Sequence, residues 1–300
     1  MAAPLPGLGP ITLGASSLGD RGTGADAAAL ADALVASPFG QIDTSNNYAE
    51  GRSESALGAA LARAGGLPAG TVVFTKTDYD PATGVYDGDR VTRSFEESMT
   101  RLGLERLPLL HLHNPTTMTL AEASAPGGAI EALVSLREQG LVGAIGVAAG
   151  TRALVEDYVR TDAFDAVLTH NRYTLVDRSA QTILELAAER GMTVFNGAPF
   201  GGGILADASG ERTKYGYRPA SYALLGFIGR LRQLCEHWNV ELPAAALHFS
   251  LRNPLVHSTA VGVSSLARLS ALESLADAEI PEGFFDAVER LGTPPLTAND

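Results

Sequence analysis

Four polar side chains fall where short apolar runs end. Asp43 closes "GQID", Tyr48 follows five residues later after "TSNN", Lys76 ends "TVVFTK" and His113 ends "LPLLHLH". A carboxylate, a phenol, an ammonium and an imidazole gathered at one rim are equipment for proton transfer at a carbonyl or alcohol oxygen, with no covalent step needed. A tyrosine with its ordinary pKa near 10 is poorly matched to neutral pH, and closing ~3 units takes ~4 kcal/mol. An ammonium about 4 Å away, at an effective dielectric of about 20, supplies roughly that Coulombic energy. Lys76 is therefore expected to lower Tyr48, Asp43 to keep the ammonium charged and placed, and His113 to orient or polarise the substrate oxygen. Each alone has an ordinary structural reading: Asp43 as a turn starter, Lys76 as a rim lysine, His113 as a core histidine, Tyr48 as surface loop. Their coincidence at successive strand ends carries the chemistry. His111, two residues further inside, is the expected core histidine.

Those placements need strands, and eight candidates are legible as short runs at 11–15, 40–43, 71–76, 107–113, 142–147, 165–170, 192–197 and 258–263. Helical patterns lie between them. In "RVTRSFEESMTRLG", Val91, Phe95, Met99 and Leu102 recur at helical spacing. "GGAIEALVSLREQG" stripes Ile130, Leu133 and Val134 and stops at Gly140, "TRALVEDYVR" starts from a Thr151 cap, and "SAQTILELAAERG" stops at Gly191. The strands read as apolar runs more than as alternations, the pattern of a parallel sheet covered on both faces. Eight such units without a composition break predict an α/β fold, a (β/α)8 TIM barrel forming a single domain over 1–300 with long loops at its carboxyl face. "LGASSLGDRG" after the first strand does not spell GxGxxG, which argues against an open dinucleotide-binding sheet. An extra helix in "ALLGFIGRLRQLCEHWN" and the loops 79–89, 114–128 and 205–222 exceed the simple unit, and substrate specificity is expected in those loops.

The four side chains lack a hydride source, and the last strands offer a place for one. Gly201, Gly202 and Gly203 follow the seventh strand in "NGAPFGGGIL"; Gly262, Ser264 and Ser265 precede a helix start after the eighth, with Arg268 in its first turn. Glycines let backbone amides approach a pyrophosphate, and the loops after strands seven and eight of a barrel are a frequent phosphate site. Charge also points to a small-molecule partner: 22 basic against 34 acidic residues give a net charge of -12, which supplies no basic field for nucleic acid or anionic lipid. With 45% hydrophobic residues the chain can bury a large ordered core. It shows no signal peptide pattern and no apolar run of ~18 residues, so a soluble chain is expected. The single Cys235 excludes an intramolecular disulfide and a multi-cysteine zinc site. It agrees with a reducing, cytoplasmic setting and reads as a buried structural thiol; no metal is expected.

Over essentially its whole length the chain resembles the aldo-keto reductases. The resemblance rests on "IDTSNNYAEGRSESALG", "VVFTK", "RSFEESMTRLGLERL", "LLHLHN", "IGV", "APFGGGIL" and "VGVSSLARL". It implies that Asp43, Tyr48, Lys76 and His113 match the family's catalytic tetrad, with Tyr48 the proton donor, and that NAD or NADP lies extended across the mouth. The implied cofactor contacts are Gly14, Ala15, Asp43, Asn171, Pro199, Phe200, Gly201, Gly203, Leu205, Gly262, Ser264, Ser265 and Arg268. Substrate contacts are expected from Tyr48, His113, Asn114 and Tyr173, with Arg172 and Tyr217 as further candidates.

Within the family, "NNYAEGRSE", "NRYTLVDRSA" and "FNGAPFGGGIL" resemble the aldose 1-dehydrogenase branch, which includes L-fucose or D-threo-aldose, L-galactose and pyridoxal 4-dehydrogenases. That branch oxidises a cyclic hemiacetal to a lactone, and Tyr48 would act as the base toward the anomeric hydroxyl; a broad NADPH-dependent aldehyde or ketone reductase is the alternative. The chain also departs from the family. Ala148 and Ala149 stand where many members carry a Ser and Asn pair on the carboxamide, and Gly197 stands where a tyrosine often stacks on the nicotinamide. The resemblance then passes carboxamide binding to Asn171, and stacking to Phe200 or to nothing. Arg268 matches the arginine that often clamps the 2′-phosphate of NADP, but Gly262 replaces a common lysine, which leaves NAD and NADP both open. On the residues alone two other classes remain: a Schiff-base lyase with Lys76 as nucleophile, and a nucleotide-binding sensor without turnover. Either a monomer or a homodimer is compatible with the sequence.

Overall fold

The computed structural model describes residues 5, 7–20, 22–297 and 299. Ten strands occur in chain order: β1 (Ile11–Gly14), β2 (Gln41–Asp43), β3 (Val72–Thr77), β4 (Leu107–His113), β5 (Val142–Ala149), β6 (Ala166–His170), β7 (Thr193–Gly197), β8 (Lys214–Tyr215), β9 (Arg218–Pro219) and β10 (Ser258–Gly262). Eight of them close a parallel barrel in the order β1, β10, β7, β6, β5, β4, β3, β2; β8 and β9 form a small antiparallel hairpin inside the long 205–222 loop. The (β/α)8 architecture is thus the observed one. Strand bounds move by one or two residues from the expected ones: β5 continues to Ala149, and β3 ends on Thr77, so that Lys76 is its penultimate residue.

The helices are α1 (Gly24–Ala36), α2 (Arg52–Arg63), α3 (Gly88–Leu102), α4 (Leu120–Ala123), α5 (Ala129–Glu138), α6 (Arg152–Val159), α7 (Gln181–Glu189), α8 (Tyr222–Trp238), α9 (Leu242–Leu251), α10 (Leu266–Ala276) and α11 (Phe284–Glu289). Val91, Phe95 and Leu102 of α3 are buried as the spacing predicts. In α5 the buried stripe is Ala129, Leu133 and Leu136, while Ile130 and Val134 are only half-buried. This helix packs on α3 as well as on β5, which rotates the buried stripe away from the expected one. Thr151 occupies the N-cap of α6, but its side chain makes no capping bond. Cys235 is buried, and burial pushes its thiol up to about 11. Among the described residues no helix is long and apolar enough to cross a membrane.

Strand alternation sorts the barrel into two apolar layers. Phe74, Leu109, Ala144, Ala148, Ala166, Leu168, Phe195 and Ala260 form one cluster, on which Leu5 and Leu8 pack. Their strand neighbours Val73, Leu110, Ile145, Val147, Val167 and Val194 join the helices in the other. The first cluster fills the barrel interior, and its rows continue upward by steps of two: Phe74 to Lys76 and Asp78, Leu109 to His111 and His113, Leu168 to His170. The polar residues at the mouth are the top layer of the same inward rows.

One close approach fixes the helices behind that mouth. A Cβ placed on Gly58 of α2 would lie 1.9 Å from the Arg101 carbonyl oxygen and 2.9 Å from its carbon, both backbone atoms of α3. Gly58→Ala must force the two helices apart, at about 2–3 kcal/mol. In a protein of this size that lowers the melting midpoint by about 3–5 °C. Differential scanning calorimetry reads this directly, and an unchanged midpoint would contradict the packing described.

Candidate active site

Lys76 is 1% exposed, and its ammonium is fully used. Nζ donates to Asp43 Oδ2 at 2.6 Å, to the Thr44 carbonyl at 2.6 Å and to the Tyr48 hydroxyl at 3.2 Å, three acceptors for three hydrogens. Burial opposes the charge, but Asp43 and Tyr48 outweigh it and hold the lysine above its ordinary pKa. An ammonium held so firmly has no lone pair to attack a carbonyl, which removes the Schiff-base reading of Lys76.

Tyr48 is half-buried, and its acidity is opposite to the one expected from the sequence. Its phenol lies above the ordinary tyrosine value, because desolvation outweighs the nearby Lys76 charge and Asp43 adds to the rise. The ammonium alone would lower the phenol, and burial reverses the sign. His113 meets Tyr48 edge to face, with ring centroids 5.6 Å apart. Its Nδ1 lies 2.7 Å from Asp78 Oδ1 and 3.0 Å from Ser45 Oγ. Burial pushes the Asp78 carboxyl up, but His113, Ser45 and the Asn47 amide hold it below its ordinary value. An ionised Asp78 only accepts, so Nδ1 carries a proton. The Asn114 amide nitrogen is 3.0 Å from Nε2 and donates to its lone pair. His111, one layer down, is 1% exposed and kept neutral by burial and by the Lys76 charge.

Asp78 and Ser45 were not anticipated from the sequence. Asp78 had a readable signal, since it lies two residues beyond Lys76 and so shares its face. Ser45 had none.

A buried polar network holds the loop that carries Tyr48. Arg101 Nη1 donates to the Asn46 carbonyl at 2.9 Å and to Glu54 Oε2 at 3.1 Å, and Thr75 Oγ1 donates to Glu54 Oε1 at 2.6 Å. Arg90 reaches Asn46 Oδ1 at 3.0 Å and the Asp78 carbonyl at 2.9 Å. The backbone needs this bracing, because Ala49 and Glu50 after the tyrosine have φ of 50° and 57°, each costing about 1–2 kcal/mol for a residue with a side chain.

Beside the mouth runs a groove of about 850 Å³. Pro199, Phe200, Gly203, Gly262, Ser264 and Arg268 line it, joined by Gly202, Arg212, Glu241 and Glu279. Of the other expected cofactor residues, Gly201 and Leu205 are buried and do not line it. A Cβ on Gly201 would strike the Tyr215 ring at 2.3 Å, so this glycine admits the β8 hairpin rather than a ligand. Ser265 caps α10, accepting from the Arg268 amide at 3.3 Å. Gly14 and Ala15 lie at the end of β1, where the Ala15 amide donates to Asp43 O at 2.8 Å. Asn171 stands across the mouth with φ 59°, its Oδ1 buried and without a partner. An orphaned acceptor there and a groove reaching Gly262, where a Cβ would meet nothing within 4 Å, fit a nicotinamide dinucleotide. Arg212, whose Nη1 is 3.4 Å from Gly202 O, was missed because it lies in a loop with no periodic pattern.

Asn114, Arg172 and Tyr217 line a second, smaller cavity of about 410 Å³ at the mouth. Tyr173 is not at the mouth: it is buried, stacked on Phe249 with centroids 5.0 Å apart. The left-handed Asn171 turns the chain, and Tyr173 packs into the outer core. Among the described residues no group of three or more His, Cys, Asp or Glu side chains is placed to hold a metal.

The geometry makes a signed prediction. Lys76 favours the phenolate of Tyr48, so Lys76→Met should move that ionisation to still higher pH. The difference in near-ultraviolet titration between Lys76→Met and its Tyr48→Phe double mutant isolates the signal, to be compared with the same difference in the wild-type background. A shift to lower pH, or none, would contradict the coupling.

Comparisons with known proteins agree with this arrangement. The Aldo/keto reductase family profile matches residues 10–292. A pyridoxal 4-dehydrogenase of Microbacterium luteolum is 31% identical over 215 residues, 69% of this chain and 63% of that protein. A D-threo-aldose 1-dehydrogenase of a Pseudomonas species is 34% identical over 197 residues, 65% and 59% of the two chains. An Arabidopsis thaliana L-galactose dehydrogenase is 26% identical over 231 residues, 76% and 70%. The chain thus spans about 60% of the length of the first two relatives. A solved aldo-keto reductase of Bacillus halodurans in its holo form superposes with a TM-score of 0.76 at 19% identity, covering 96% of this chain and 93% of its own, which shows a shared fold. With the profile spanning nearly the whole barrel, the chain belongs to the aldo/keto reductase family.

Proposed function

We propose that the protein is an NAD(P)-dependent oxidoreductase that converts the anomeric hydroxyl of a cyclic hemiacetal into a lactone. The observation that carries this reading is the Tyr48 hydroxyl, held 3.2 Å from a permanently charged Lys76 with the His113 ring beside it. A nicotinamide dinucleotide, when bound, supplies the hydride-accepting carbon. Pro199, Phe200, Gly203, Ser264 and Arg268 would hold it, with Arg212 over the glycine turn and Asn171 on its carboxamide.

The protein's own residues handle the proton. Tyr48 takes it from the substrate hydroxyl, and Lys76 stabilises the phenolate that must form first. Asp43 keeps Lys76 charged. Because Asp78 occupies Nδ1 of His113, Nε2 is the ring nitrogen left toward the mouth, where the Asn114 amide donates to it. The pyridoxal, aldose and galactose dehydrogenases among the relatives support the hemiacetal class.

NAD is the proposed preference. In the groove Arg212 and Arg268 are balanced by Glu241 and Glu279, and Gly262 adds no ammonium where a 2′-phosphate would need one. A second reading, reduction of aldehydes, is favoured by one observation: burial keeps Tyr48 protonated and thus a ready donor.

One screen separates the two. Oxidation of L-fucose, L-galactose, D-arabinose and pyridoxal with NAD+ and NADP+, at neutral and alkaline pH, is run against reduction of simple aldehydes with NADH and NADPH. The proposal expects sugar oxidation with NAD+ that accelerates as pH rises, since the phenol must lose its proton. Aldehyde reduction without any sugar oxidation would overturn it in favour of the second reading.

A further inference from the structure

Two glycines, of which Gly197 reads in the sequence as a loss, turn out to make room for a ring. Gly150 follows β5 and Gly197 ends β7, and neither has the left-handed backbone that would demand glycine. Both flank His170 at the top of β6. Gly197 pairs with His170 in register, and Gly150 lies one step beyond the pairing of Ala149 with Thr169. A Cβ on Gly150 would fall 2.6 Å from Cε1 and 2.9 Å from Nε2 of His170, and one on Gly197 would fall 3.0 Å from its Cβ. Any other residue at position 150 would push the imidazole out. Both neighbouring strands therefore give up their side chains at this level, and the imidazole takes the space.

The ring faces the reaction. It continues the inward row of Ala166 and Leu168, two residues of the barrel interior. Burial, with the charges of Arg172 and Lys76 adding to it, lowers His170 to about 4, so the imidazole is neutral and close enough to Lys76 to feel it. The Asn171 amide nitrogen lies 3.1 Å from Nδ1 and makes it an acceptor, which leaves the proton on Nε2. No described residue bonds Nε2, and it is not among the atoms sealed off by protein. It opens on the mouth cavity of about 410 Å³ that Asn114 and Tyr217 also line, with the Tyr217 ring edge-on to His170 at 6.3 Å. Asn114 in turn touches Nε2 of His113.

We propose that His170 is a specificity-determining residue whose Nε2 donates to a hydroxyl of a polyhydroxylated substrate held beside Tyr48 and His113. The proposal rests on the hemiacetal reading only for the identity of that substrate. A hydroxyl partner fits because the wall is built of amide, imidazole, phenol and guanidinium groups, which offer hydrogen bonds and little apolar surface. A site built to bond a hydroxyl discriminates against analogues that lack it.

The test pairs substrates that differ in hydroxyls. KM for L-fucose and glyceraldehyde is measured against KM for propanal, together with Kd for L-fucose, glyceraldehyde and propanal on the nucleotide-loaded protein and nucleotide Kd by fluorescence. In His170→Ala the hydroxylated compounds should weaken about tenfold, with propanal and nucleotide unchanged. His170→Gln, which keeps a donor, should recover most of the loss. Gly150→Ala should reproduce the defect by displacing the ring without altering the histidine. Equal weakening of propanal, a weakened nucleotide, or a wild-type protein that binds neither sugar nor glyceraldehyde would overturn the proposal. Failure to oxidise any sugar, with glyceraldehyde still separated from propanal, would count against the hemiacetal reading and leave His170 in place.

Discussion

A single buried positive charge organises the mouth of this barrel. Placing an ammonium out of water costs several kcal/mol unless every hydrogen finds an acceptor, and Lys76 finds a carboxylate, a carbonyl and a phenol. These three partners belong to β2 and the loop after it. Satisfying the lysine therefore fixes where β2 must end and how the next five residues run. The loop cannot reach Tyr48's position in relaxed geometry, as the left-handed Ala49 and Glu50 show, and the Glu54, Arg90 and Arg101 network holds it there.

A second buried pair, between a carboxylate and an imidazole, is built beside the first in the same way. Asp78 rises from the Lys76 row and His113 from the His111 row, so two inward rows of adjacent strands deliver a carboxylate and an imidazole to one level. The two pairs do different work. Lys76 with Asp43 sets the charge felt by Tyr48; Asp78 fixes which nitrogen of His113 faces the substrate. Burial enters both, and for Tyr48 it is the larger influence. The phenol is consequently a donor at rest, and acting as a base requires that it first be deprotonated against that desolvation.

The barrel and the meeting of Asp43, Tyr48, Lys76 and His113 at its mouth were legible because polar residues ending apolar runs are conspicuous, and parity sends strand-end residues to one face. Asp78 obeyed the same rule but lay past the apparent end of its run. Other features depend on contacts distant in sequence. Tyr173 looked like part of a rim loop; the turn at Asn171 sends it onto Phe249, which no local pattern announces. Gly201 looked like a phosphate cradle, whereas the Tyr215 ring of a hairpin fourteen positions later requires it. Gly197 appeared as a missing side chain and Gly150 carried no signal, and only their shared approach to His170 explains them. The tyrosine's acidity was misjudged because Coulomb's law needs a distance, while desolvation needs the whole surrounding structure.

The central claim is that Tyr48 exchanges the proton with the substrate oxygen, with Lys76 tuning it. The most direct measurement is single-turnover nicotinamide reduction by wild type and Tyr48→Phe, with nucleotide Kd determined on both. The account predicts a rate lower by at least about 10²-fold, the usual range for losing a general base, with nucleotide binding intact. A Tyr48→Phe protein that reduces the nucleotide at close to the wild-type rate would contradict it.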